Sequence, residues 1–216
     1  MKLRFASLSP LALGLMLAAV PAAAQVVYSN GPISGNGDAW TINFGFVVSD
    51  TFNVAASDTT ITGLDFGAHL FPGDVLTSAE LSITSGENGG TSYFDQTVNF
   101  TQSNCHVNEY GFNVCLESST FAGPTLNSGT YWLNLQNASD PSGDPVYWDE
   151  NSGPSSASES SVGTIPSEAF TLLGSEQSST STSSTTTTGT VPEPGSIMLF
   201  GSGILGLAGM LRRRLF

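Results

Sequence analysis

Residues 25–190 contain no lysine and no arginine. All five basic residues sit at the two ends, as Lys2, Arg4, Arg212, Arg213 and Arg214, whereas 17 of the 18 Asp and Glu residues lie within residues 25–190. An anionic surface of this kind repels nucleic acid and anionic lipid and draws divalent cations. It has no guanidinium or ammonium with which to hold a phosphate or a carboxylate. Nucleic-acid binding, nucleotide binding and phosphoryl transfer are therefore set aside. The same acidity keeps an extracellular domain soluble.

Cysteine and histidine are scarce as well. The two cysteines, Cys105 and Cys115, are expected to form a disulfide in an exported chain. A loop of that size would be worth roughly 3 kcal/mol. A metal site built from Cys105, His106 and Cys115 lacks a fourth ligand at a usual spacing. The only histidines, His69 and His106, fall in no triad or metal spacing, and the sequence has neither a Gly-x-Ser-x-Gly elbow nor a His-Glu-x-x-His helix. A glycosidase needs two carboxyls facing across a bond. Adjacent Asp149 and Glu150 would point to opposite faces of a strand. No catalytic residue is assigned, and the chain reads as a non-enzyme.

Long apolar runs occur only near the termini. Lys2 and Arg4, the apolar residues 8–20 and the small residues Ala22-Ala23-Ala24 have the layout of a signal peptide over residues 1–24, read by the general secretion machinery and signal peptidase. At the other end residues 195–211 form 17 positions without a charge. A helix of that length just spans a hydrocarbon core of about 30 Å. Arg212, Arg213 and Arg214 in the basic tail 212–216 would hold its far end in the cytoplasm. Before it, twelve of the thirteen residues 178–190 are Ser or Thr, so residues 175–190 are expected to be an extended linker with nothing to bury.

Pro192-Glu193-Pro194 in the motif segment 191–194, the apolar run and the arginine cluster together resemble the PEP-CTERM sorting signal of bacteria that make extracellular polysaccharide. The resemblance implies a partner, the integral-membrane protease exosortase. It would recognise the motif and remove the transmembrane helix, passing the protein to the cell envelope or biofilm matrix. A permanent single-span anchor is the alternative. The resemblance addresses sorting and covers about an eighth of the chain. Residues 131–136, 145–151 and 163–170 also look like a recurrent domain type among such proteins, with no activity attached.

Between the targeting segments, residues 25–174 alternate with period two. Trp40, Ile42, Phe44, Phe46 and Val48 read as one strand face, as do Leu64, Phe66, Ala68 and Leu70; further sets include Phe112, Val114 and Leu116, and Tyr131, Leu133 and Leu135. Turn chemistry at residues 71–74, 85–90, 122–124 and 127–129 separates them. The expectation is an all-β antiparallel sandwich of jelly-roll type. If Tyr131, Leu133 and Leu135 face the core, then Trp132, Asn134 and Gln136 share the other face, and with Trp148 they offer an aromatic and amide platform for a sugar. Asp140, Asp144, Asp149 and Glu150 cluster oxygens that calcium takes from flexible loops. The leading expectation is a non-catalytic envelope or matrix protein, with a carbohydrate-binding module for exopolysaccharide as the alternative.

Overall fold

Period-two alternation becomes strands wherever branched and aromatic residues recur between glycine-rich turns. In chain order the strands are β1 (Gln25–Ser29), β2 (Ala39–Thr41), β3 (Val47–Val54), β4 (Thr59–Leu70), β5 (Ser78–Gly86), β6 (Gly89–Asn99) and β7 (Thr101–Val107). They continue with β8 (Asn113–Thr120), β9 (Thr125–Leu126), β10 (Gly129–Ser139), β11 (Tyr147–Asp149), β12 (Ala157–Glu159), β13 (Gly163–Ile165) and β14 (Phe170–Glu176). The structure, a computed structural model, describes residues 25–35 and 37–176. The expected signal peptide, the residues 178–190, the motif at Pro192–Pro194 and the transmembrane segment with its arginines lie outside the described residues. Among those described no helix is long and apolar enough to cross a membrane.

The strands form two antiparallel sheets. One runs β1-β14-β4-β11-β2, with β9 and the β8–β7 pair also attached at β4; the other runs β13-β12-β3-β10-β5-β6. The twelve-residue β4 is the spine of the first sheet, pairing with β14 through residues 59–66, with β8 through 63–70 and with β11 at 68–69. In the second, β10 is held between β3 and β5. Both sheets turn apolar faces to one shared core: Leu64, Phe66, Phe170 and Leu172 from the first meet Phe52, Leu81, Ile83, Leu133 and Leu135 from the second. Trp148 lies at its centre, its ring 5.9 Å from Phe66 and 5.6 Å from Phe170, both edge-on. Aromatic pairs in this geometry add to the burial energy itself.

Three details depart from the alternation pattern. The run from Trp40 to Val48 is two strands in different sheets, because the chain turns at Phe44 and Gly45, both at positive φ, with Phe46 N donating to Asn43 O at 3.1 Å. Phe44 and Phe46 are exposed as a result. In β8 the side turned to the core carries Cys115, not Val114, and on the same parity Glu117 is fully buried. Period-two counting placed Phe112, Val114 and Leu116 inward because it scores apolarity, and here a carboxyl is buried in the row that counting would leave outside. The last strand reaches Glu176, two residues beyond the expected boundary at 174.

Candidate functional site

The sugar platform expected on β10 is not assembled. Tyr131, Leu133 and Leu135 do face the core, and Trp132 is half-buried on the other side. Asn134 on that side is buried, its amide donating to Ser82 Oγ and Thr84 Oγ1 at 3.0 Å each while its carbonyl accepts Asn88 N at 3.1 Å. Every polar atom of that amide is taken by the β5–β6 hairpin, so it has none to offer a sugar. Gln136 donates to Glu80 Oε1 at 2.7 Å. Trp148 is fully buried, with Nε1 donating to Ala169 O at 3.1 Å, and cannot stack on anything from outside. Sequence spacing showed which residues share a strand face but not that a hairpin end would fold over it.

Aromatic surface is gathered elsewhere. A cleft of about 340 Å³ is lined by Asp38, His69, Tyr110, Phe112 and Tyr147. Tyr110 is exposed. Asn108 shapes the hairpin between β7 and β8 that carries Tyr110 and Phe112: its Oδ1 accepts both of their backbone N–H groups at 3.0 Å, and its Nδ2 donates to Gly35 O at 3.0 Å. The Cys105–Cys115 disulfide staples the base of the same hairpin. The Phe112 ring packs edge-on to Tyr147 at 5.8 Å and tilted to Phe71 at 5.1 Å. Burial, then the nearby charge of Asp144, pushes the Tyr147 hydroxyl above its ordinary value of 10.0.

The four carboxylates proposed as calcium ligands divide into two places. Asp149 is fully buried and accepts Ser34 N at 2.6 Å, Gly35 N at 2.9 Å and His69 Nε2 at 2.7 Å. Gly67 makes room for it: a Cβ there would stand 2.9 Å from Asp149 Cβ and from Ile33. Glu150 accepts the Trp40 indole N–H at 3.1 Å. Neither reaches the other two. Asp140 and Asp144 stand together, joined by Asp74 from the turn after β4, with one carboxylate oxygen of each within 4.8 Å of the others. Asp74 was missed because it is remote in sequence and sits in an ordinary Phe-Pro-Gly-Asp turn. Burial raises the Asp140 carboxyl above its usual value, opposed by the Ser142 N–H and reinforced by Asp74 and Asp144.

Three further buried acids were not singled out from the sequence. Asp50 accepts Glu168 N at 2.8 Å and Asn30 Nδ2 at 3.2 Å, yet burial outweighs these bonds and pushes its carboxyl to about 6. Glu168 is fully buried with neither oxygen hydrogen-bonded to a described residue; burial, then the charges of Asp50, Glu150 and Asp149, raises it well above the ordinary glutamate value. Glu117, equally buried and equally without partners, is pushed by burial to about 8. Period-two alternation in β8 was the one available signal for it, read with the opposite parity.

Comparison with known families reaches only the C-terminal segment. Residues 190–214 carry the PEP-CTERM protein-sorting motif. The PEP-CTERM motif supports sorting through exosortase to the cell surface, as the Pro192-Glu193-Pro194 resemblance implied. The all-β region fits an additional domain ahead of the motif. The curated proteins compared with the chain give no match.

Proposed function

We propose that this chain is a non-catalytic exported protein of the cell envelope or extracellular matrix, whose β domain is delivered by its PEP-CTERM signal and released from the transmembrane helix behind it. The observation that carries the reading is the sorting motif at residues 190–214, following a separate domain that ends at Glu176. The absence of lysine and arginine from residues 25–190 agrees with a part of the chain that works outside the cell in contact with neither nucleic acid nor anionic lipid. The jelly-roll form expected for the sandwich is in keeping with strands that alternate between the two sheets from β2 to β5 and again from β9 to β12. Mass spectrometry of surface and released material tests the sorting step. Peptides are expected up to about Pro194 and none beyond it. Recovery of the intact Arg212-Arg213-Arg214 end from the mature protein overturns the reading.

A second reading, a carbohydrate-binding module for exopolysaccharide, is favoured by the aromatic cleft rather than by β10. Tyr110, Phe112 and Tyr147 offer ring faces to pyranose C–H groups, and Asp38 and His69 supply polar atoms beside them. Pull-down with the polysaccharide of the producing cell tests this. Tyr110→Ala should abolish retention with an unchanged melting temperature, because Tyr110 is exposed. Retention that survives Tyr110→Ala but is lost in Trp132→Ala would return the site to β10.

A further inference from the structure

The meeting point of Asp74, Asp140 and Asp144 is built differently from the other acidic places in the domain. Asp74 is held by the turn after β4, where its N–H donates to Phe71 O at 3.0 Å, and Asp140 is the first residue after β10. Gly143 N donates back to Asp140 O at 3.0 Å and thereby folds the loop that presents Asp144. Asp144 is exposed, whereas Asp74 and Asp140 are more than nine-tenths buried at 8% and 9% relative exposure. Asp74 Oδ2 and Asp140 Oδ2 are each buried without a hydrogen-bond donor among the described residues. Asp140 Oδ1 receives only the Ser142 N–H at 3.0 Å. A carboxylate oxygen of Asp74 and one of Asp140 lie within 4.8 Å of each other.

Buried carboxylate oxygens aimed at one another are unfavourable unless a positive charge lies between them. The sequence supplies no lysine or arginine anywhere in residues 25–190 to fill that role. We infer that Asp74, Asp140 and Asp144 form a calcium site. Oxygens bound at about 2.4 Å to one ion lie no more than about 5 Å apart, which the 4.8 Å cluster satisfies. Three carboxylates are too few for the six to eight oxygens calcium takes. The depression of about 360 Å³ beside Asn43, Asp140 and Asp144 leaves room for the ion's water ligands. Loop-borne carboxylates completed by water suit calcium better than magnesium, which demands a near-ideal octahedron. An ion there ties the turn between β4 and β5 to the loop between β10 and β11, two connections that each pass from one sheet to the other.

Chelator-treated full-length protein, titrated with calcium chloride at pH 7.5, tests the site. The expected result is saturable uptake of one ion per chain, with half-saturation between about 10⁻⁴ and 10⁻³ M. The melting temperature should rise by about 5 °C at tenfold saturation. Without calcium, Asp74→Asn and Asp140→Asn should melt as high as the calcium-free wild type or higher, since the facing charges are gone, and both should lose at least tenfold in calcium affinity. Exposed Asp95→Asn should leave the response unchanged. A wild-type response retained in both buried-aspartate variants would assign uptake to the acidic surface at large and overturn the site. So would no saturable binding, or an equal response to magnesium. Terbium gives a readout that needs no variant. The Tyr147 hydroxyl feels the Asp144 charge, so tyrosine excitation should sensitise terbium emission that calcium displaces. Emission unaffected by calcium would equally overturn the assignment.

Discussion

Asp149 and Asp140 are both buried aspartates close to the same loop, and their surroundings have little in common. Asp149 collects two backbone N–H groups and the His69 ring, all within 2.9 Å. Asp140 has one backbone N–H and faces Asp74. Glu117, in the middle of β8, has no donor from the described residues at all. A domain without lysine or arginine has three ways left to bury a carboxylate: surround the ion with N–H donors, bind a metal, or keep the acid protonated. The structure provides the means for each at a different place. The number of N–H groups within reach decides which one operates, because each charge-assisted bond offsets part of the desolvation cost.

The comparison breaks hardest at Asp149. Asp149→Ala leaves His69 and the N–H groups of Ser34 and Gly35 without their acceptor, and a loss of about 3–5 kcal/mol is expected. Urea denaturation at pH 7 reads it from the midpoint at unchanged slope. A loss below about 1 kcal/mol would mean that these donors find water easily, and the contrast with Asp140 would lose its basis.

Glu117 should respond with the opposite sign. Its folded-state value of about 8 lies above the ordinary 4.5, so the folded protein holds a proton that the unfolded chain releases. Stability is then fully present below about pH 4.5 and declines as pH rises through 8, where it levels off. A shift of that size corresponds to a ceiling of roughly 5 kcal/mol. Glu117→Gln removes the titration and is expected to be more stable than the wild type at pH 9 and nearly equal at pH 4. Melting curves across that range decide it; parallel pH profiles for the two proteins would show that water already solvates Glu117.

How far these features were visible in the sequence follows from their range. Tyr131, Leu133 and Leu135 were placed inward correctly because alternation is a local property of a strand. The Cys105–Cys115 pair was anticipated since only two cysteines exist. Trp148 was read as platform and is core, because a single strand does not reveal whether a second sheet lies over it. His69 meets Asp149 across 80 residues, and Asp74 meets Asp140 across 66, through sheet pairings that no spacing encodes. Carboxylates in a domain without lysine or arginine were a general clue to cation binding, but which of them converge was decided by the pairing of β5 with β10, which ends at Ser78 and Ser139.

The smallest effect is expected at Glu159, which has donors of a third kind. Burial works against its charge. Ser161 Oγ at 2.6 Å, Ser160 Oγ at 2.8 Å and the Ser161 N–H outweigh it, so its carboxyl is held below the ordinary 4.5. A lowered value adds stability above pH 4.5 that disappears as pH falls through the folded-state value. Glu159→Gln should therefore cost under about 1 kcal/mol at pH 7 and nothing at low pH. Its donors come from the next two residues of the same turn and can rotate to water when the charge is gone, unlike the backbone groups fixed around Asp149. Equal losses in Asp149→Ala and Glu159→Gln would show that donor count alone sets the cost. A large difference assigns it to donors anchored far away in the sequence, which cannot re-pair once the acceptor is removed.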